Sequence, residues 1–298
     1  MTASASPDLH ATAAPSVSLD EAYRECERYA RRHSENFSVV TFLLPRRLRP
    51  HFFAVYAFCR FTDDLGDEAE GDRIAMLDAW ELELREAMAG RPRRPLFVAL
   101  AQTIEECSIP LDPFLRLIEA NRIDQRVSRF ETYEDVLGYC TYSATPVGQM
   151  VLAVLGHHDA ERIALSDQIC IGLQVANFWQ DVSVDIRKGR VYLPQEDLRS
   201  FGCDDTQIVE ARFDERFREL MRFQVERARS HFTAGAALEE TVSRSVRTDI
   251  RLFRLGGEAI LDAIEAADYD TLTARPRVTR ATKARLLLVH GARALLGR

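Results

Sequence analysis

The stretch "HFFAVYAFCRFTDDLGDE" (51–68) runs apolar and aromatic for most of ten residues, then sets four acids into six positions. Like charges repel, and a carboxylate without a partner is costly to bury. The cluster is therefore either a solvated helix end or a place for a cation. Asp63 and Asp67 are four apart, so a helix stacks them on one face. A second apolar stretch, "ANFWQDVSVD" (176–185), repeats the arrangement: Asn177, Asp181 and Asp185 stand at i, i+4 and i+8. One acidic pair alone reads as a solvated face. Two of them on apolar helices, 118 residues apart, point to a hard cation held by oxygen donors. Mg2+ fits, because it keeps several waters and completes its sphere with phosphate oxygens. Zinc lacks the His/Cys spacing it needs, and "DDLGDEAEGD" lacks the EF-hand pattern.

Basic residues flank both motifs. Arg60 precedes the first by three positions; Lys188 and Arg190 follow the second in "DIRKGRVYLP". Arg and Lys donors with a divalent ion stabilise a diphosphate leaving group, although each taken alone reads equally as a surface ion pair. Phe37, Phe53, Tyr56, Phe61, Tyr139, Phe178 and Trp179 gather around the motifs. Most belong to a core; a few are placed to line an apolar channel and face a carbocation.

The spacing of apolar residues predicts an all-α chain. Glycine, at 14 of 298 residues, is too sparse for an all-β protein rich in turns. Ser18 is expected to cap a first helix, 51–65 to form a buried one, and 72–89, 96–107 and 110–126 to follow. Thr132 caps the next, Pro146 interrupts it, and the pattern resumes through 155. A long helical stretch spans 159–189, with "RVYLP" as a loop after it. Helices near 195–201, 205–211, 213–238, 241–267 and 278–296 complete the reading, as one domain over 18–298 with a disordered tail at 1–17. Composition is that of a soluble globular protein, 46% hydrophobic and 29% charged. A net charge of −7 and no basic-aromatic stripe argue against nucleic acid. Six cysteines without a CxxC pair, and no export signal, indicate a reducing cytoplasm. No glycine-rich phosphate loop follows a strand, so NADPH is not expected. The last stretch, "KARLLLVHGARALLGR" (283–298), is basic and amphipathic: either a final packed helix or a membrane-surface contact.

Three segments together, "YAFCRFTDDLGDE" (56–68), "YCTYSATPVGQMV" (139–151) and "LQVANFWQDVSVDIRKGRVYLP" (173–194), resemble the squalene/phytoene synthase family in order and spacing, over roughly 20–290. The resemblance implies an isoprenoid synthase fold, a single helical bundle around a central cavity. It implies Mg2+ and diphosphate bound between two aspartate-rich helices, and prenyl carbocation chemistry. Carried over, it makes Asp63, Asp67 and the adjacent Asp64, with Asn177, Asp181 and Asp185, the metal ligands. Arg60 and Arg190 become diphosphate contacts, and Tyr56, Tyr139 and Gln174 line the reaction centre. Ser34, Asn36 and Phe37 match a segment that touches diphosphate and prenyl chain. Two departures resemble the bacterial hopanoid branch, the hydroxysqualene synthases: Gln180 stands where condensing members carry Arg, and "SATPVG" replaces a "VAG…VG" pattern. That branch implies presqualene diphosphate as substrate and water as the quencher, and so greasy a product points to work beside the inner membrane, reached by peripheral contact rather than a span. The alternatives are a condensing enzyme of the same fold, using farnesyl diphosphate or making phytoene, and a non-catalytic helical factor that binds prenyl lipid. Oligomeric state is not legible.

Overall fold

A computed structural model describes residues 17–33, 44–286 and 288–289. Residues 1–16, and with them most of the expected tail, lie outside the described residues, as do Ser34, Asn36 and Phe37. The described chain is helical. No strand occurs among the described residues, and an isolated bridge joins Arg129 to Val191. No described helix is long and apolar enough to cross a membrane.

The helices group into two compact units. One runs to Arg126 and takes in Gln149–His158; the other comprises Val127–Gly148 and the chain from Asp159 onward. The first holds α1 (Leu19–His33), α2 (Arg49–Asp67), α3 (Arg73–Met88), α4 (Pro95–Glu106) and α5 (Asp112–Ile123). Each begins where its chemistry predicts. Ser18 Oγ accepts from the Glu21 amide, while Glu21 reaches back to the Ser18 amide at 3.2 Å, a capping box. Asp72 caps α3, and prolines occupy the first turns of α2, α4 and α5.

Helix α2 explains its own sequence. Phe52, Phe53, Ala54, Val55, Ala57, Phe58 and Leu65 are all buried, because α1, α3, α4 and α5 pack around this one helix. A helix enclosed by neighbours is apolar on every side. Trp80 of α3 locks the packing. It stacks on Phe61 at 4.4 Å, meets Phe97 at 4.5 Å, and donates its indole N–H to Thr62 Oγ1 at 2.9 Å.

The second unit contains α6 (Tyr133–Ser143) and α8 (Ala160–Gln180), the short α9 (Val182–Asp185), α10 (Gln195–Ser200) and α11 (Asp205–Val209), then α12 (Glu215–Gly235), α13 (Leu238–Thr241), α14 (Arg244–Ala266) and α15 (Arg280–Leu286). The partition between units falls within α7 (Thr145–Val154), which carries Pro146 in its first turn. Helices α8, α12 and α14 form the centre, meeting at Phe232; a Cβ at Gly257 would lie 2.4 Å from that ring, so only glycine lets α14 approach so closely. A buried Glu239 is matched by Arg251 and Arg254 at 2.5 and 2.6 Å, and Tyr133, His231 and Gln168 are linked by 2.8 Å hydrogen bonds.

One expectation needs correction: the stretch 159–189 is not one helix, for it breaks at Asp181 and a 3-10 turn covers Ile186–Lys188. The helices expected near 213–238 and 241–267 stand as α12 and α14, with the short α13 between them.

Candidate functional site

The first acid motif occupies the last turns of α2, where the helix emerges from its neighbours. Tyr56, Arg60, Asp63 or Asp64, and Asp67 follow one another at helical intervals. Asp63 and Asp67 repel: burial, with Asp67 adding to it, pushes the Asp63 carboxyl up to about 7, while an Asn121 hydrogen bond opposes the shift. Asp63 nonetheless remains exposed by surface area. A carboxylate open to small solutes yet poorly solvated and beside a second carboxylate is chemically suited to a cation. Asn121 Nδ2, from the buried face of α5, donates to Asp63 Oδ1 at 3.3 Å.

Asp64 lies one residue on, a rotation of about 100°, and its partners differ. It accepts from the Tyr29 hydroxyl at 2.7 Å and pairs with Arg60 at 2.5 Å, while Arg60 also reaches Glu68 at 3.2 Å. Asp64 thus tethers Arg60 between two carboxylates. Burial and the Asp64 hydrogen bond raise the Tyr29 hydroxyl well above its ordinary value, so it stays a donor.

The second motif lies at the end of α8. Gln174, half-buried, and Asn177, exposed, precede Asp181 on one face. The helix breaks because the Ser183 amide leaves the ladder to bond the Thr271 carbonyl at 3.0 Å. The i,i+4 bonds that matter survive the break. Asp181 N–H donates to Asn177 O at 2.9 Å and Asp185 N–H to Asp181 O at 2.8 Å, which keeps the three residues in succession. Arg275 supplies a guanidinium that no spacing argument anticipated. Its Nε and Nη2 both engage the Asp181 carboxylate, and Nη2 donates to Gln180 Oε1 at 3.0 Å. Gln180, 4% exposed, in turn donates to the Pro276 carbonyl at 2.8 Å.

Aromatic rings stand beside this motif. Phe178 stacks on Tyr192 at 3.9 Å with planes 5° apart; Tyr139 of α6 lies 6.1 Å from Phe178 and 5.9 Å from Tyr192, and Phe130 closes the group 5.4 Å from Tyr139. The loop bearing Arg190 and Tyr192 is braced: Val191 N–H donates to Ser128 O at 3.0 Å and Arg129 Nη1 to Gly189 O at 2.7 Å. Arg190 is half-buried there, and its amide bonds Asp185 O at 3.0 Å.

No three His, Cys, Asp or Glu side chains among the described residues converge into a metal cage. Each motif offers carboxylates in pairs, with the Asn177 amide added in the second. Such open oxygen sets suit a magnesium-type ion that keeps waters and takes ligand phosphate oxygens, and Arg275 is the cation that now neutralises Asp181. Sequence reasoning missed Asn121, Tyr29, Tyr192 and Arg275. A polar residue on the apolar face of α5 was a usable signal for Asn121; Arg275, 94 residues from Asp181, left none.

Comparison with known proteins places this geometry. The squalene/phytoene synthase family matches residues 30–282. The chain is 50% identical to the squalene synthase HpnC of Alicyclobacillus acidocaldarius, whose crystal structure superposes with a TM-score of 0.82 over 85% of this chain and 96% of that one. A dehydrosqualene synthase solved with a ligand has a TM-score of 0.85 at 24% identity over 94% and 98% of the two chains, which is a likeness of fold. The 15-cis-phytoene synthase of Synechococcus elongatus is 33% identical over 276 residues, 88% of this chain and 90% of that protein.

Proposed function

The chain belongs to the squalene/phytoene synthase family, all-α enzymes of the isoprenoid synthase fold that process prenyl diphosphates, and we propose that its reaction converts presqualene diphosphate and water to hydroxysqualene and diphosphate. The observation that carries this reading is Gln180. The residue before the second motif's first Asp is neutral, buried and spoken for by Pro276 and Arg275. A site that handles one diphosphate needs no further fixed cation at that position. The 50% identity to HpnC supports the same branch.

In this reading residues 18–298 form one catalytic domain. Asp63, Asp67, Asn177, Asp181 and Asp185 hold divalent ions, Mg2+ by their oxygen chemistry. Bound there, the ions supply Lewis-acid neutralisation of the departing diphosphate. Arg60, aimed by Asp64, and Arg190 donate to the same phosphates. The carbon–oxygen bond breaks with its electron pair leaving on diphosphate, and the cyclopropylcarbinyl cation rearranges. Tyr139 and its neighbours Phe178 and Tyr192 present π faces to that charge. Tyr56, Tyr139 and Gln174 are assigned to orienting the water whose oxygen closes the sequence, its proton leaving to solvent or diphosphate. Ser34, Asn36 and Phe37 are assigned to the substrate's diphosphate end. The steps need no hydride, hence no NADPH. An alcohol with a C30 hydrocarbon chain partitions into bilayers, so the enzyme works in peripheral contact with the inner face of the membrane.

The phytoene synthase relatives support a second reading, condensation of two prenyl diphosphates. Incubation of the purified protein with presqualene, farnesyl or geranylgeranyl diphosphate, Mg2+ and no reductant separates them. An alcohol from presqualene diphosphate is expected; efficient coupling of two farnesyl or geranylgeranyl units overturns the proposal.

A further inference from the structure

The charges of this chain are segregated. Of its 39 Lys and Arg and 46 Asp and Glu, residues 271–298 hold 7 of the basic and none of the acidic ones; residues 1–270 keep 32 basic against 46 acidic, a formal −14. Within the described part of that segment, Arg277, Arg280, Lys283 and Arg285 are exposed, and α15 buries no residue. Two residues past its end stands Leu288, 71% exposed and the most exposed large hydrophobic residue among those described, followed by Val289, 44% exposed. A final helix that merely packed on the core would bury its Leu and Val and leave charges of both signs outward.

We propose that residues 277–286, with Leu288 and Val289, form a lipid-contacting element that docks on an anionic bilayer. Guanidinium and ammonium groups meet the anionic headgroups, and Leu288 and Val289 enter the acyl boundary. Exposed apolar side chains beside an all-basic face match that chemistry better than they match a nucleic acid, whose phosphates offer nothing to a leucine. The element is also tied to the second acid motif. The Thr271 carbonyl takes the Ser183 amide, Arg275 pairs with Asp181, and the Pro276 carbonyl takes the Gln180 amide, so the basic face begins one residue beyond a fixed point. This rests on the proposed function only in so far as a C30 hydrocarbon must reach a bilayer; docking itself needs no substrate.

The test is co-sedimentation of the full chain, without substrate or metal, with phosphatidylcholine vesicles with and without phosphatidylglycerol. Each basic residue near an anionic surface contributes about fivefold in partitioning, so Arg277→Gln/Arg280→Gln/Arg285→Gln should lose about a hundredfold. Arg31→Gln/Arg85→Gln/Arg93→Gln removes the same charge from exposed positions elsewhere and should change partitioning less than about twofold. Leu288→Gln, which changes no charge, should cost roughly tenfold, a loss that added salt does not mimic. Equal loss in both triple variants, or binding indifferent to phosphatidylglycerol, overturns the proposal. So does release of the vesicles by transfer RNA with Leu288→Gln unchanged, which would make the segment a general polyanion binder. A chain that docks but yields no alcohol leaves this inference standing and removes only the proposed reaction.

Discussion

Gly66 offers a direct test of how the first acid motif is held. It lies in the last turns of α2, and a Cβ built on it would sit 2.0 Å from Asn121 Oδ1 and 3.0 Å from Asn121 Cβ. Asn121, 7% exposed, cannot swing away without dropping its bond to Asp63. Gly66→Ala therefore adds overpacking of about 2 kcal/mol and removes a hydrogen bond of about 1. Replacing glycine in a helix returns about 1, leaving a net destabilisation of about 2 kcal/mol. Asn121→Ala alone loses the same bond and opens a small gap, again about 2 kcal/mol. In the double variant the new methyl enters the space the Asn121 amide vacates, so the contacts with Oδ1 and Cγ are gone, the 3.0 Å approach to the remaining Cβ costs about 0.5 kcal/mol, and the helix gain remains, for a total cost of about 1.5 kcal/mol. The two changes should thus couple by about 2.5 kcal/mol in the stabilising direction. Urea denaturation of the four proteins, followed by circular dichroism, measures this. Additivity within about 0.5 kcal/mol would refute the packing argument. Turnover carries a second signature: the double variant should recover stability but not activity, because Asp63 has still lost its partner.

The remaining expectations are simpler. Trp80→Ala empties the junction of Phe58, Phe61 and Phe97 and leaves Thr62 Oγ1 with only its bond to the Phe58 carbonyl, at about 3–5 kcal/mol in chemical denaturation; a loss under about 1 kcal/mol would mean that junction is not a core. Asp181→Asn should cut turnover by about a hundredfold or more while the circular dichroism spectrum stays unchanged; wild-type rates would remove Asp181 from the machinery. Burial, reinforced by Arg227, holds the His231 imidazole below its ordinary value of 6.5. The unfolded chain then binds that proton first, so stability present above pH 6.5 is lost as pH falls, and His231→Gln should flatten the slope of Tm against pH on the acid side. An unchanged slope would place the acid sensitivity elsewhere.

Much of this was legible in the residues because the signals were local. Capping at Ser18 and Thr132, prolines in first turns, and 3.6-residue periodicity set the helices. The acid motifs announced themselves because like charges on an apolar helix lack any other economical explanation. What escaped was tertiary. A break at Asp181 depends on the Thr271 carbonyl arriving from far along the chain, which no window of eighteen residues contains. The same holds for Arg275, whose flanking sequence "TARPRV" reads as an ordinary polar loop. The resemblance set Asp64 beside Asp63, and adjacency in sequence conceals a rotation that hands one carboxylate to Asn121 and the other to Arg60 and Tyr29.

That division gives the motif its logic. A lone acidic pair on a helix is destabilising, and a third acid between them would worsen the repulsion unless it had a cation of its own. Arg60, one turn earlier, is that cation for Asp64, and Glu68 steadies it from the other side. The pairing hands Asp64 to Arg60, while Asp63 takes the Asn121 hydrogen bond and feels Asp67 as a like charge. The second motif is arranged differently: Asp181 is met by Arg275, on a segment fastened at Thr271 and Pro276. A divalent ion arriving at Asp181 must compete with that guanidinium, whereas one arriving at Asp63 relieves a repulsion. The two motifs should therefore fill in order, the first before the second, and a titration with Mn2+ should resolve a tighter and a weaker class of site. Arg275→Ala should bring the two classes together by tightening the weaker one, and a weaker class unmoved by that change would show that Arg275 does not guard Asp181.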